Sequence, residues 1–261
     1  MKSFAMKVII LFLRINKMID QKTKEKIFDL YAKSPNIVVK HPVLVTVGPV
    51  PLQLDNRKAF SNPDLMDLLA DSLKEIIDWK GIDVIMGAET AGMPLAAILS
   101  HKTRVPFNYI RKKMRGTGDG RFISGGANPG DKAILIDDLM AKGGSKKLFI
   151  DNMKHDGVET VAVAMIFKTM AKLFQENEDR KELETSGMPI YHLFEWEELI
   201  EGLFKRGVID EEILPHFMDF ARHPEIWRED VSKWDDYFEV LKKMNYKVPK
   251  EVIEAVDEMR K

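Results

Sequence analysis

The chain has 261 residues, 45% of them hydrophobic and 31% charged, with 40 basic against 41 acidic side chains and no cysteine. That length buries one substantial core and allows one domain plus an appendage, and a formal charge of −1 gives no overall field for nucleic acid or an anionic membrane, so any anion must be bound locally. The lack of cysteine excludes disulfides, thiolate nucleophiles and thiolate metal sites, and fits a reducing, cytoplasmic setting.

Residues 1–17 carry the apolar run Val8-Ile-Ile-Leu-Phe-Leu13, cut off by Arg14 and Lys17. The run has no small-residue cleavage site after it and is far short of the roughly 20 apolar residues that span a bilayer. It reads as a start-site extension or a short added strand or helix, with Met18 as the alternative start. Ile27, Phe28, Leu30 and Tyr31 recur at helical spacing, so residues 19–34 are expected to form an amphipathic helix that Ser34-Pro35-Asn36 stops. Residues 37–39 and 43–47 read as strands by their β-branching, with Gly48-Pro-Val-Pro51 as an irregular break. Asn62-Pro63-Asp64 supplies an N-cap, an N1 proline and an acidic first turn. The helix it opens carries a stripe of Leu65, Leu68, Leu69, Leu73, Ile76 and Ile77 and is expected to end at Gly81.

From Ile82 the pattern becomes strand, loop, helix: strand 82–86 and helix 91–100, strand 105–110, strand 133–136 and helix 145–155, then strand 160–167. The strands are almost continuously apolar, as a parallel sheet covered on both faces requires, and such sheets bind ligands at the carboxyl ends of their strands. The polar stretch 172–184 reads as a solvated excursion whose charges need no functional explanation, and 189–193 reads as a last short strand. After about Glu201 the chain is helical and carries Trp227, Trp234, Tyr237 and Phe238, which read as a packed helical cap or a dimer surface rather than a ligand box. None of the six histidines stands at metal-ligand spacing.

Chemistry concentrates in Ala133-Ile-Leu-Ile-Asp-Asp-Leu-Met-Ala-Lys-Gly-Gly-Ser145: a buried strand, two acids, a glycine loop, then a helix. Backbone amides over Ala141, Lys142, Gly143, Gly144 and Ser145, aided by the helix dipole, can cradle a phosphate, and Ser145 can cap as well as donate. Asp137 and Asp138 suit sugar hydroxyls, or Mg²⁺ held through water, better than phosphate. Either pair alone reads equally as a strand end and a turn; their combination reads as a ribose-5-phosphate cradle. A second loop, Gly87-Ala-Glu-Thr-Ala-Gly-Met-Pro94, follows strand 82–86 and by itself is an ordinary strand-to-helix turn. A third, Asn108-Tyr-Ile-Arg-Lys-Lys-Met-Arg-Gly-Thr-Gly-Asp-Gly-Arg121, is basic and too glycine-rich for a regular element, so it reads as a mobile lid or a solvated hairpin.

The strand, acid pair and small-residue loop at 133–145 resemble the phosphoribosyl-pyrophosphate motif of type I phosphoribosyltransferases, with Lys142 where that family usually has a small or hydroxylated residue. The resemblance runs from about Ile19 to Leu203 and implies an α/β fold with a central, mostly parallel sheet flanked by helices. It divides the chain into the family domain with a small hood over 19–205 and a helical C-terminal extension over 206–261. It also implies that backbone amides near Glu89, Thr90, Ala91 and Gly92 take the pyrophosphate, with the Thr90 hydroxyl adding to them.

The lid is similar to that of orotate phosphoribosyltransferases, which reaches the neighbouring subunit of a homodimer with a shared active site. Arg111, Lys112 and Gly118 match it, while Arg115 replaces a lysine and Thr117 a histidine. Arginine keeps the charge without a titratable ammonium, and threonine cannot act as an acid. Val50-Pro-Leu-Gln-Leu-Asp-Asn-Arg-Lys-Ala-Phe-Ser61 is similar to the family's Asp-x-Arg stretch, where Arg57 either holds the hood over the base or merely pairs with Asp55. No arginine after strand 160–167 matches the family's orotate-carboxylate contact, which leaves Lys168 and Lys172 as the cations in that place. The implied reaction is Mg²⁺-dependent transfer of 5-phosphoribosyl from phosphoribosyl pyrophosphate to orotate. Two readings stand beside it: a transferase for a purine or another base, and a non-catalytic sensor that kept the cradle.

Overall fold

The computed structural model describes residues 18–34, 37–39, 41–45, 48–114, 116 and 120–261; the reading of residues 1–17 lies outside that span. Helix α1 (Gln21–Lys33) starts where Asp20 accepts a hydrogen bond from the Thr23 amide at 3.0 Å, and it buries Ile27, Phe28 and Tyr31. Four short strands follow as the hood: β1 (Val38–Val39), β2 (Val43–Val45), β3 (Gly48–Val50) and β4 (Gln53–Leu54). β1 pairs antiparallel with β4, and β2 with β3. The expected break at Gly48 is therefore a strand: Pro49 sits opposite Leu44 in a two-stranded ribbon, where a missing N–H is tolerated at an edge.

A 3₁₀ helix (Asn56–Ser61) leads into α2 (Pro63–Ile76), capped by the Asn62 side chain on the Leu65 amide at 3.1 Å. α2 stops five residues before Gly81, because Ile77 turns to extended backbone (ψ 134°) while its side chain stays buried. Alternating strands and helices then build the core: β5 (Val84–Ala88), α3 (Gly92–Thr103), β6 (Phe107–Ile110), β7 (Ile123–Ser124), β8 (Lys132–Ile136), β9 (Leu139–Met140), α4 (Gly144–His155) and β10 (Glu159–Lys168). The sheet order is β11-β10-β8-β5-β6-β7 with β11 (Ile190–Glu195) at one edge; all neighbours are parallel except β7 at the other edge, and β9 adds to the far end of β10. Side chains alternate between two cores: Ile85, Ile134 and Ile136 face one, Met86, Leu135 and Met165 the other.

β5 is followed by a crossover to one side of the sheet and β8 by a crossover to the other. The switch point, where such sheets open a crevice, therefore lies between their carboxyl ends.

The stretch read as a solvated excursion folds into α5 (Lys172–Gln175) and α6 (Glu178–Thr185), and Arg180 on α6 is 1% exposed. The chain ends in α7 (Trp196–Phe204), α8 (Leu214–Arg222), α9 (Ile226–Glu229), α10 (Ser232–Lys243) and α11 (Lys250–Glu258). Phe217, Trp227, Trp234 and Tyr237 share one continuous core with Leu52, Leu54 and Phe167. The Tyr237 hydroxyl donates to the Pro51 carbonyl at 3.0 Å, and α11 packs on β2 and β3. The C-terminal helices thus hold the hood against the sheet. No described helix is long and apolar enough to cross a membrane.

Candidate active site

A cleft of about 360 Å³ opens at the switch point. Asp137 and Asp138 come to it from the end of β8, Ser145 and Lys146 from α4, Glu89, Thr90 and Ala91 from the end of β5, Asn56 and Arg57 from the 3₁₀ helix, and Lys112 from the basic segment after β6. The structure therefore gathers one residue or more from each of the segments singled out by sequence.

Asp137 is 6% exposed, and its Oδ2 accepts from Lys146 Nζ at 2.6 Å while its Oδ1 accepts from the Asp138 amide at 2.9 Å. A buried carboxylate needs such a partner. Asp138 Oδ1 accepts from the Leu139 amide at 2.8 Å. Burial first, and the neighbouring Asp137 charge second, push the Asp138 carboxyl up to about 6, with the Lys146 ammonium opposing them. Lys146 was missed in the sequence, although a lysine in the first turn of a helix opposes the dipole and so calls for a partner.

The raised value has a sign. Asp138 in the fold favours its neutral form, so its contribution to stability is full below the ordinary aspartate range and is lost as pH rises through about 6. Asp138→Asn is expected to raise the melting temperature at pH 8, by a free energy on the order of 2 kcal/mol, and to leave it nearly unchanged at pH 4. Calorimetry at the two pH values measures this; equal shifts at both would contradict it.

The loop over Ala141, Lys142 and Gly143 turns at Gly143 (φ +85°), which is the N-cap of α4 and provides no side-chain cap. Ser145 is consequently not a cap, as expected from sequence, but lines the cleft inside the first turn, and the N-terminal amides of α4 are left for an anion. Lys142 is exposed. Behind the loop lies Arg180, whose Nη1 donates to the carbonyls of Ala141 at 3.1 Å and Thr169 at 2.8 Å, and whose Nε donates to Glu184 at 3.0 Å. The charges of 172–184 therefore do need an explanation: one of them fixes the loop before α4 from below. Its local signal was only the helix start at Asn177, Glu178 and Asp179.

Gly92 opens α3 directly against the end of β8: a Cβ there would lie 2.1 Å from the Ile136 carbonyl oxygen and 2.9 Å from Asp137 Cα. Only glycine lets the two loops approach so closely. Glu89 accepts from the Lys112 amide at 2.9 Å, tying the basic segment after β6 to this loop, and the Glu89–Thr90 peptide is cis.

A second cavity, about 530 Å³, adjoins the cleft through Glu89, Thr90 and Lys112, and Arg111 and Lys113 complete its wall. Arg111 reaches it while held against β6 and β7: its Nη2 donates to the Tyr109 hydroxyl at 2.9 Å and the Ser124 hydroxyl at 2.5 Å, and its guanidinium lies over the Tyr109 ring. Arg115, Thr117 and Gly118 lie outside the described residues.

Arg57 pairs with Asp55 at 2.7 Å, as one of its two readings has it, and its residue lines the cleft. Beside it the Tyr31 hydroxyl donates to Asn56 Oδ1 at 2.9 Å, and the buried Asn56 Nδ2 has no partner among the described residues. Burial and the Asp138 charge push the Tyr31 hydroxyl up, so it remains a donor. Lys168 faces Glu184 at 4.0 Å and Lys172 pairs with Glu176 at 3.6 Å; neither reaches the cleft.

A phosphoribosyl transferase domain matches residues 57–195. The chain is 32% identical over 199 residues to the orotate phosphoribosyltransferase of Roseobacter denitrificans, which covers 74% of this chain and 87% of that protein. It is 30% identical over 179 residues to the orotate phosphoribosyltransferase of Listeria innocua, covering 68% and 83%. Among solved structures, the fold is similar to orotate phosphoribosyltransferase from Mycobacterium tuberculosis, with a TM-score of 0.56 at 20% identity over 68% of this chain and 98% of that one. It is also similar to the UMP synthase of Leishmania donovani, with a TM-score of 0.62 at 21% identity over 74% of this chain and 42% of that one. A domain match over more than half of the residues, falling on a cleft lined by an acid pair, the first turn of a helix that opens at a glycine loop, and a lysine after β6, makes this chain a member of the phosphoribosyltransferase family.

Proposed function

We propose that this protein transfers the 5-phosphoribosyl group of phosphoribosyl pyrophosphate to N1 of orotate, giving orotidine monophosphate and pyrophosphate. The observation that carries the reading is a row of three adjoining cavities. The cleft over Asp137 and Asp138 is flanked on one side by the basic cavity of Arg111, Lys112 and Lys113. On the other side, through Gln53, Leu54 and Leu139, it meets an apolar cavity of about 300 Å³. Attack at a sugar carbon with the leaving group on the opposite face needs that order: leaving group, sugar, acceptor.

In this reading Asp138 and Asp137 accept hydrogen bonds from the ribose hydroxyls, and the amides over Ala141, Lys142, Gly143, Gly144 and Ser145 receive the 5-phosphate. Amides near Glu89, Thr90, Ala91 and Gly92 receive the pyrophosphate. As the C1–O bond breaks and the C1–N1 bond forms, Lys112 and Arg111, with Arg115 from the lid, stabilise the charge gathering on the departing pyrophosphate; the N1 proton passes to solvent. No protein nucleophile is required.

Mg²⁺ fits the donor set, because hard carboxylate oxygens stand beside the place of the substrate phosphates and Lys146 neutralises only one of them. When bound it would further neutralise the pyrophosphate. The reading includes a homodimer with a shared active site, since the lid is similar to one that crosses to a neighbouring subunit, and a cytoplasmic setting consistent with a chain without cysteine.

A specific observation supports a second reading, transfer to an uncharged base. The apolar cavity has no cation on its wall among the described residues, and a carboxylate entering it loses hydration without a partner. A panel of orotate, uracil and hypoxanthine with phosphoribosyl pyrophosphate and Mg²⁺ separates the two. Orotate is expected to give the highest kcat/KM; a preference for uracil or hypoxanthine would replace the first reading with the second.

A further inference from the structure

The apolar cavity beside the sugar cleft is not built by the family domain alone. Leu52 comes to it from the hood, Ala141 from the loop before α4, Phe167 from β10 and Trp196 from the start of α7, but Phe220 and Pro224 also line it, and they lie in the helical extension, well beyond residue 195, where the domain match ends. The Trp196 and Phe220 side chains are held by ring contacts. Trp196 stacks on Phe167 with ring centroids 5.2 Å apart, and Phe220 meets the fully buried Trp227 edge to face at 6.0 Å. Trp227 is in turn fixed by Trp234 and by Asp219, whose Oδ2 accepts from its indole N–H at 3.0 Å. Ala221, also on the wall, is small and 3% exposed, so the wall is set by the position of α8 rather than by a movable side chain.

We propose that the C-terminal helices complete the acceptor subsite, with Phe220 and Trp196 forming an aromatic wall for the planar ring of the base and Ala221 setting the room available to it. The proposal rests on the sugar cleft being the phosphoribosyl site. The ring must lie within bonding reach of the sugar C1, on the face away from the basic cavity, and the apolar cavity is the space that adjoins the cleft there. Flat heteroaromatic rings gain from aromatic contacts and from leaving water, and this wall supplies both. Residues 206–261 then choose the base as well as brace the hood.

The test compares, by calorimetric titration of the full chain, ribose 5-phosphate with orotidine 5′-monophosphate and uridine 5′-monophosphate. The difference between sugar and nucleotide reads the base subsite alone. In the unaltered protein at least one nucleotide is expected to bind more tightly than ribose 5-phosphate. Phe220→Ala should weaken that nucleotide about tenfold, the order of one lost aromatic contact, and leave ribose 5-phosphate within about twofold. Ala221→Leu, which fills the cavity without removing a wall, should weaken the nucleotide in the same selective way. A variant that merely loosened the fold would lower both affinities together. Nucleotide affinities unchanged in both variants, or parallel loss of nucleotide and sugar, would overturn the proposal. Failure of the unaltered protein to bind ribose 5-phosphate would overturn the phosphoribosyl reading itself.

Discussion

Gly92→Ala is expected to abolish phosphoribosyl pyrophosphate binding and to destabilise the fold, the largest effect of any single methyl group added at the site. The new Cβ would lie 2.1 Å from the Ile136 carbonyl oxygen and 2.9 Å from Asp137 Cα, backbone atoms at and just past the end of a buried central strand that cannot swing aside. The loop over residues 89–92 must therefore lift away from β8, separating the proposed pyrophosphate amides from the acid pair. Displacement by about 1 Å costs a catalytic site on the order of 100-fold in rate, and overpacking of this kind costs about 1–3 kcal/mol of stability. Gly126→Ala is the control: a Cβ there meets nothing within 4 Å, and both binding and melting temperature should stay as they are. Thermal unfolding and titration with phosphoribosyl pyrophosphate report the two effects, and a Gly92→Ala protein that melts and binds normally would show the loops to be farther apart than described.

Arg180→Met is expected to lower stability by about 3 kcal/mol, the scale for removing one side of a buried charged network, and to weaken ribose 5-phosphate binding. The substitution keeps the apolar stem and removes every donor to Ala141, Thr169 and Glu184. The proposed phosphate loop loses the group that fixes its first carbonyl, while Gly143, whose added Cβ would lie 3.0 Å from the Arg180 backbone, still rests on α6. The loop should therefore remain in place but bind less tightly. Stability lost with phosphate affinity intact would reduce Arg180 to a structural residue. Full retention of both would remove it from the account.

The parallel sheet was legible because its strands are apolar throughout, and each acid or glycine loop stood at a strand's carboxyl end, where such sheets bind ligands. Asp137, Asp138, Ser145, Glu89, Thr90, Ala91, Lys112 and Arg57 line one cleft for that reason. What stayed hidden depended on contacts across long separations. Arg180 sits in a run whose composition is that of solvent-exposed chain, and only its 39-residue separation from Ala141, closed in the fold, makes it a buttress. Tyr31 and Asn56 form a pair 25 residues apart, and Tyr237 reaches Pro51 across 186 residues. Local periodicity carries no record of such pairings. Gly48-Pro-Val-Pro51 failed for the opposite reason: its proline suggested a break, and the neighbouring strand β2 recruited it into a ribbon.

The central claim is that one cleft, floored by Asp137 and Asp138, performs phosphoribosyl transfer to a base. Its most direct test is absorbance-monitored consumption of orotate by the full chain with phosphoribosyl pyrophosphate and Mg²⁺, beside Asp137→Asn and Asp138→Asn. The account predicts steady turnover that falls at least about 100-fold in both variants, while both remain folded. Turnover unaffected by either substitution would place the chemistry elsewhere. Tight binding of phosphoribosyl pyrophosphate with no turnover of orotate, uracil or hypoxanthine would contradict the transferase reading and leave a sensor that kept only the cradle.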